Sequence, residues 1–583
     1  MPATDENLSA GFGEHISHGS VFLSSVEQID RHYALLHYAH YLQQAWDELK
    51  LAGVLCVDGR PAVYLCEAKR FTTAQKRERQ RFVWNQGLVP LLVLLTPGHV
   101  EVYSGVRKPL KSDAPDASLD TTLISDLGNI AEALECAKFI RSVETGQFFQ
   151  DRRDFFPSGE AVDRCLVKNL VQSAMRLKKA GWKLDRAHAL LGRALFVSFL
   201  QQRGFIKPHQ FPASTKSLLD IVKGRTVEET KHLLYGKGGL FPILKREFNG
   251  TMFDAALDIE ARDIRKPHLD ILADFLGGAE MESGQFTIFS DYDFRVIPVE
   301  TISAIYEEFM KEEDLERKYE EGTFYTPRHL AETTLHIAVE NRYAEAANWR
   351  VLDPACGSGI FLVGMFNMLA AQWLRDNANR TKKTKAQALL EILQQRIRGV
   401  DLNLDACRIA AFSLYLALFE KLKPIDLDEF KKKVRADSFL PPLLWSAKEG
   451  LRAEPAVIIH GDFLGDKLPL EKDYNLIIGN PPWESRGKEQ IALHFAQRTP
   501  DFLCDGGIGC LILPTTILVN RHGTLDRNWF RAVTGEKIVQ LADYRKLMFA
   551  SAIHAGFIIR FQKVKPTLEH VVIYETPKVS RFD

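Results

Sequence analysis

Four short apolar runs in the second half of the chain each end in a carboxylate or an amide. Val351-Leu-Asp353 leads into Pro354-Ala-Cys356-Gly357-Ser-Gly359 and then into the apolar stretch Ile360–Trp373. That order predicts a buried strand, a turn of small residues and a helix. Arg398-Gly-Val-Asp401 predicts a second strand, and Val457-Ile-Ile-His-Gly-Asp462-Phe463 a third. Tyr474-Asn-Leu-Ile-Ile-Gly479 predicts a fourth, with Asn480-Pro481-Pro482-Trp483 at its tip. Apolar strands interleaved with helices predict a doubly wound α/β sheet, whose strands line one crevice with their carboxyl ends. The polar stretch Arg375–Lys385 predicts an inserted loop, and Phe549–Arg560 predicts one of the last strands.

The first half reads as a separate α/β unit followed by helices. Ser25–Leu49 predicts a helix, with Ile29, Tyr33, Leu36 and His40 at helical spacing. Gly53–Val57 and Ala62–Lys69 predict two strands joined through Asp58-Gly-Arg-Pro61. Thr72–Trp84 predicts a basic, polar helix, and Leu91–Leu95 and His99–Tyr103 two further strands. Residues 104–122 read as a linker. From Gly159 to Ile305 the pattern is mainly helical, and Arg186–Arg203 stops at Gly204, a C-cap signal.

Composition narrows the class. The chain has 583 residues, 46% hydrophobic and 26% charged, as in ordinary globular proteins. Its 75 basic and 75 acidic residues balance, so any polyanion must be held by local patches and not by a global field. Eight cysteines without a Cys-x-x-Cys pair argue against zinc or a disulfide framework. Met1-Pro-Ala-Thr-Asp-Glu-Asn lacks a signal peptide's basic start and apolar core, and Leu88–Leu95 is far too short to span a bilayer. The expectation is a cytoplasmic protein with no membrane partner.

The tips of the strands carry the chemistry. An asparagine amide oxygen accepts hydrogen bonds from an exocyclic amino group. Pro481 has no N–H, so its neighbourhood presents a carbonyl acceptor, and Trp483 offers a flat face for a planar ring. Together they suit an amino group on an aromatic ring. The glycine turn after Asp353 lets a ligand approach the backbone at a helix N-terminus. Asp401 suits ribose hydroxyls, and Asp462 with Phe463 suits an adenine amino group and ring.

In this order, these motifs resemble the S-adenosylmethionine-dependent DNA adenine-N6 methyltransferases. Phe324-Tyr325-Thr326-Pro327 resembles the segment that closes over the methionine end of the cofactor. Its place ahead of the glycine turn is similar to the gamma arrangement of type I modification subunits and single-chain type IIG enzymes. The resemblance spans about residues 315–570. It implies a mixed seven-stranded sheet, S-adenosylmethionine as cofactor and double-stranded DNA as partner. It places Asn480, Pro481, Pro482 and Trp483 at the reacting base. Phe324, Thr326, Pro327, Asp353, Pro354, Cys356, Gly357, Gly359, Asp401, Asp462 and Phe463 fall around the cofactor. Related enzymes carry a target-recognition domain after this point. Either a separate specificity subunit reads the DNA, or the chain is a truncated form of a longer enzyme.

Glu67-Ala-Lys69 puts a carboxylate and a lysine on one face at a strand end. With Glu27 in the first helix and Gln80 in Gln-Arg-Phe-Val-Trp84, it resembles the PD-(D/E)xK nuclease fold, which implies Mg²⁺. The aspartate expected at the start of Ala52-Gly-Val-Leu55 is missing, and Asp58 is the nearest candidate to join Glu67 as a metal ligand. The expected division is therefore a nuclease-like domain over 1–150, a helical connector over 151–314 and a methyltransferase domain over 315–583. A defence endonuclease whose methyltransferase half acts as a sensor, and an inactive fragment, are the competing readings.

Overall fold

The computed structural model describes residues 14–17, 19–32, 35, 38–97, 99–109, 122–126, 133–207, 211–212, 215–248, 257–277, 292–299, 301–302, 326–377, 384–434, 440–465, 467–483, 485–486, 489–518, 537–545 and 555–576. The chain divides into two compact units. One comprises residues 1–208, 215–225 and 265–298, the other 209–214, 226–264 and 299–583. Among the described residues no helix is long and apolar enough to cross a membrane.

The first unit is built on a six-stranded sheet in sequential order. Its strands are β1 (Ser20–Leu23), β2 (Leu51–Val57), β3 (Arg60–Glu67), β4 (Leu91–Thr96), β5 (His99–Ser104) and β6 (Leu123–Asp126). Only β3 and β4 run parallel. β2 and β3 form a tight hairpin over Asp58-Gly59, both with positive φ, as a two-residue turn between twisted strands requires. Side chains alternate across the sheet. Tyr64 and Cys66 pack with Leu42 and Ala45 of α1 (Ala39–Leu49) and with Phe82 and Val83 of α2 (Thr73–Gln86). Val63 and Leu65 pack on the other face with Phe139 and Ile140 of α3 (Ala133–Glu144). Thr72 caps α2 through a reciprocal box with Gln75. The helices α4 (Val162–Lys179), α5 (Leu184–Gln202) and α6 (Lys266–Gly277) share this unit, and α5 ends just before Gly204.

The helix expected over Ser25–Leu49 is not continuous. A 3-10 turn covers Val26–Arg31, and α1 begins only at Ala39. His32 adopts φ −119° and ψ 89°, outside the helical region, so the backbone leaves the helix there; Tyr33 and Leu36 lie outside the described residues.

The second unit holds a ten-stranded sheet in the order β10-β9-β11-β8-β7-β12-β15-β17-β16-β18. Its strands are β7 (Val351–Asp353), β8 (Ile397–Asp401), β9 (Leu444–Ser446), β10 (Leu451–Arg452), β11 (Ile458–His460), β12 (Tyr474–Gly479), β15 (Leu503–Pro514), β16 (Lys537–Arg545), β17 (Gly556–Gln562) and β18 (Ile573–Glu575). A separate two-residue pair, β13 (Ser485–Arg486) and β14 (Glu489–Gln490), follows Trp483. Seven strands therefore undercount the sheet. The β9–β10 hairpin extends one edge and β18 the other, and elements of two or three residues are too short to show an alternation.

Helices cover the sheet: α7 (Arg328–Val339), α8 (Ile360–Asn377), α9 (Lys385–Arg396), α10 (Leu404–Lys421) and α11 (Ile491–Arg498). α10 is buried almost all round, as a helix between two layers must be. Both ends of the stretch read as an inserted loop are helical. α8 runs through Arg375 to Asn377, and Thr384 caps α9; residues 378–383 lie outside the described set. The long interval from Asp353 to Asp401 thus holds two helices. From β7 the chain adds β8 and β11 on one side, then returns to place β12 on the other side of β7. The strand order reverses between β7 and β12, and such a switch point opens a crevice at the carboxyl ends.

Candidate active site at the carboxyl ends of β7 and β12

Arg350 aligns these two strands at their starts. Its N–H donates to Asn475 Oδ1 at 2.8 Å, and its guanidinium meets Asp473 at 2.5 Å and Glu471 at 2.8 Å. In the register that follows, Leu352 lies beside Ile477. Asp353 therefore ends β7 next to Gly479. The approach is so close that a Cβ on Gly479 would fall 2.7 Å from Asp353 Oδ1. Glycine is required there for space.

Asp353 is fully buried. Its Oδ1 accepts from the Ala355 N–H at 3.1 Å, while Oδ2 has no partner. Burial, together with the nearby Asp401 carboxylate, pushes its carboxyl well above the usual range. A buried carboxylate oxygen without a donor is costly unless a ligand supplies one.

The turn after Asp353 is held from β8. Gly357 (φ 51°) and Gly359 (φ 86°) take the left-handed conformation that glycine tolerates. Cys356 N–H donates to the Val400 carbonyl at 2.9 Å, and Gly357 N–H to Asp401 Oδ2 at 2.9 Å. Asp401 Oδ1 accepts from Asn403 N–H at 2.8 Å. Asp401 thus shapes the turn. Pro354 and Cys356 are buried, and burial raises the Cys356 thiol well above its ordinary value, so it stays neutral.

At the third strand, Asp462 Oδ1 accepts from the Leu464 N–H at 2.9 Å. Phe463 is 2% exposed. Its ring lies 5.4 Å from Phe495 and 5.2 Å from Phe502, with the Arg498 guanidinium 5.4 Å over its centre. It is an aromatic core residue, with neighbours where an adenine face was expected.

Asn480 leaves β12 with its side chain bonded at both ends. Nδ2 donates to Thr326 Oγ1, and Oδ1 accepts from the Trp483 indole N–H, each at 3.1 Å. Thr326 and Trp483 are each 7% exposed. Pro481 is buried and Pro482 half-buried. Pro327 caps α7, which brings the Thr326 segment to the tip of β12. Phe324 lies outside the described residues. Hydrogen bonds and close approaches thus link Thr326, Asp353, the glycine turn, Asp401 and Asn480 at the carboxyl ends of β7, β8 and β12. Sequence reasoning passed over Arg350, Asn403 and Gly479, of which only Asn403, a cap residue before an apolar helix, carried a local signal.

The nuclease-like residues are not brought together. Asp58 sits in the hairpin turn, while Glu67 ends β3 at the far end of the same hairpin. At the rise of an extended strand they are roughly 25 Å apart, so they cannot share a Mg²⁺ ion. Glu27 is exposed in the 3-10 turn that follows β1, where the Ser25 hydroxyl holds its carboxyl below the usual range. Lys69 is exposed. Gln80 is buried on α2, which packs on the face of Tyr64 and Cys66, whereas alternation assigns Glu67 to the face of Leu65. Trp84 packs as a core residue, its N–H donating to the Glu160 carbonyl at 2.8 Å and its ring stacked 5.9 Å from Tyr292. Among the described residues no group of three or more His, Cys, Asp or Glu side chains is placed to hold a metal ion.

Residues 299–501, all in the second unit, match the family described as N-6 DNA Methylase. The chain is similar to the type II restriction enzyme and methyltransferase RM.Eco57I of Escherichia coli, 24% identical over 254 residues, covering 36% of this chain and 23% of that one. It is equally similar to the type II methyltransferase M.PaeR7I of Pseudomonas aeruginosa, 24% identical over 256 residues, covering 41% and 38%. The chain spans well under half the length of these relatives. Among solved structures, the type IIL restriction-modification enzyme MmeI in complex with DNA aligns at a TM-score of 0.46 and 15% identity, covering 70% of this chain and 58% of that one.

Proposed function

We propose that the chain transfers a methyl group from S-adenosylmethionine to the exocyclic N6 of adenine in double-stranded DNA, as the modification activity of a restriction–modification system. The observation that carries this reading is the meeting of Asn480 with the Asp353 turn at the switch point. An amino-group acceptor lies beside a buried carboxyl group with one oxygen lacking a donor. The match to N-6 DNA Methylase over this region supports it.

The residues present fit the cofactor. Asp353 Oδ2 would take the ammonium group, and the glycine turn would let the methionine chain approach the backbone closely. Asp401 would hold the ribose, and Asp462 the adenine amino group. When bound, the cofactor supplies an electrophilic methyl group on sulfonium sulfur.

The target adenine must leave the base stack to reach the crevice, and Trp483 would stack on it. Asn480 Oδ1 and the Pro481 carbonyl would accept from the N6 amino group. Those bonds draw the nitrogen lone pair out of conjugation with the ring. Held so, the nitrogen would take the methyl group from sulfur and give up its surplus proton to water. No buried general base is required before transfer; alignment and electrostatics carry the acceleration. We assign sequence choice to a recognition module, whether a further domain or a separate specificity subunit.

The test is Asn480→Ala with labelled S-adenosylmethionine and mixed-sequence duplex DNA. Methylation should fall roughly a hundredfold or more, as when a transition-state contact is lost, with cofactor affinity nearly unchanged. Undiminished methylation in this variant overturns the assignment.

A further inference from the structure

The two bonds of Asn480 settle which way its amide faces. An indole N–H can only donate, so the atom facing Trp483 must be the oxygen, and the amide nitrogen is left to Thr326. The Thr326 hydroxyl, 154 residues upstream, accepts from that nitrogen and anchors the amide, while the donor-only indole decides which end faces it. With the amide turned over, its N–H₂ would face both the indole and any incoming amino group, donor against donor.

We propose that Thr326 is a positioning residue for methyl transfer. It keeps the Asn480 oxygen aimed at the target amino group, and the Trp483 indole N–H satisfies that oxygen until the target's own N–H replaces it. This inference rests on the function proposed above. The exchange is chemically even, because one aromatic N–H donor gives way to another and no buried acceptor is left bare. It also couples base entry to release of the indole, which frees the ring to stack on the base.

Thr326→Val removes the acceptor at nearly constant shape, and Thr326→Ser retains it. Thr326→Val should lower kcat roughly a hundredfold, as misplacement of a reacting group does, with KM for DNA and cofactor Kd little changed. Thr326→Ser should recover most of the turnover. Wild-type turnover in Thr326→Val, or a defect confined to cofactor affinity, overturns the proposal. A wild-type chain that methylates no adenine removes the proposed function itself. An active wild type indifferent to Thr326→Val removes only this inference.

Discussion

Asp353 combines complete burial with one unpartnered carboxylate oxygen, a combination that costs stability when the group is charged. Burial raises its folded-state pKa above the unfolded value, so its favourable contribution is full below the ordinary carboxylate range and is lost as pH rises through the raised value. Asp353→Asn should therefore melt about 2–4 °C higher than wild type near pH 8, while cofactor binding is lost. The gain should vanish near pH 4, where both forms are neutral. Scanning calorimetry at the two pH values checks this, and an equal gain at both would refute the burial account. The placement of Asp353 and Asn480 at strand tips was legible from the apolar runs that precede them. The packing of Phe463 was not, because an aromatic after a strand reads the same whether its faces are covered or open.

Elements bring these side chains into place through caps and close approaches. Asn403 caps α10 by accepting from Asp405 N–H at 2.8 Å and Ala406 N–H at 3.2 Å. Asn403→Ala should cost about 1 kcal/mol in urea unfolding. Gly479→Ala forces a methyl group against the Asp353 carboxylate, so cofactor affinity should fall together with a stability loss of about 1–3 kcal/mol. Isothermal titration and urea unfolding of the same variant measure both. The tips of β7, β8, β11 and β12 could be read from apolar runs ending in polar residues. β9, β10 and β18 could not, because they exist only through pairing with a neighbour.

At the scale of the whole molecule, the two units differ in what their residues can do. In the first, the hairpin register holds Asp58 and Glu67 at opposite ends. Supercoiled plasmid incubated with the purified chain and Mg²⁺ should stay intact, as read on an agarose gel. Cleavage abolished by Glu67→Ala would restore the nuclease reading. In the second, the strand reversal beside β7 brings together residues from three distant stretches. The sequence by itself determined what is local: which runs are apolar, where turns and caps fall, and which functional groups stand at strand tips. Only the tertiary structure decided which tips share a crevice, which ends of a hairpin stay apart, and that Thr326 holds Asn480. The reason is physical. Periodicity reports that a face is buried, but register and strand order follow from packing between segments that carry no mark of each other.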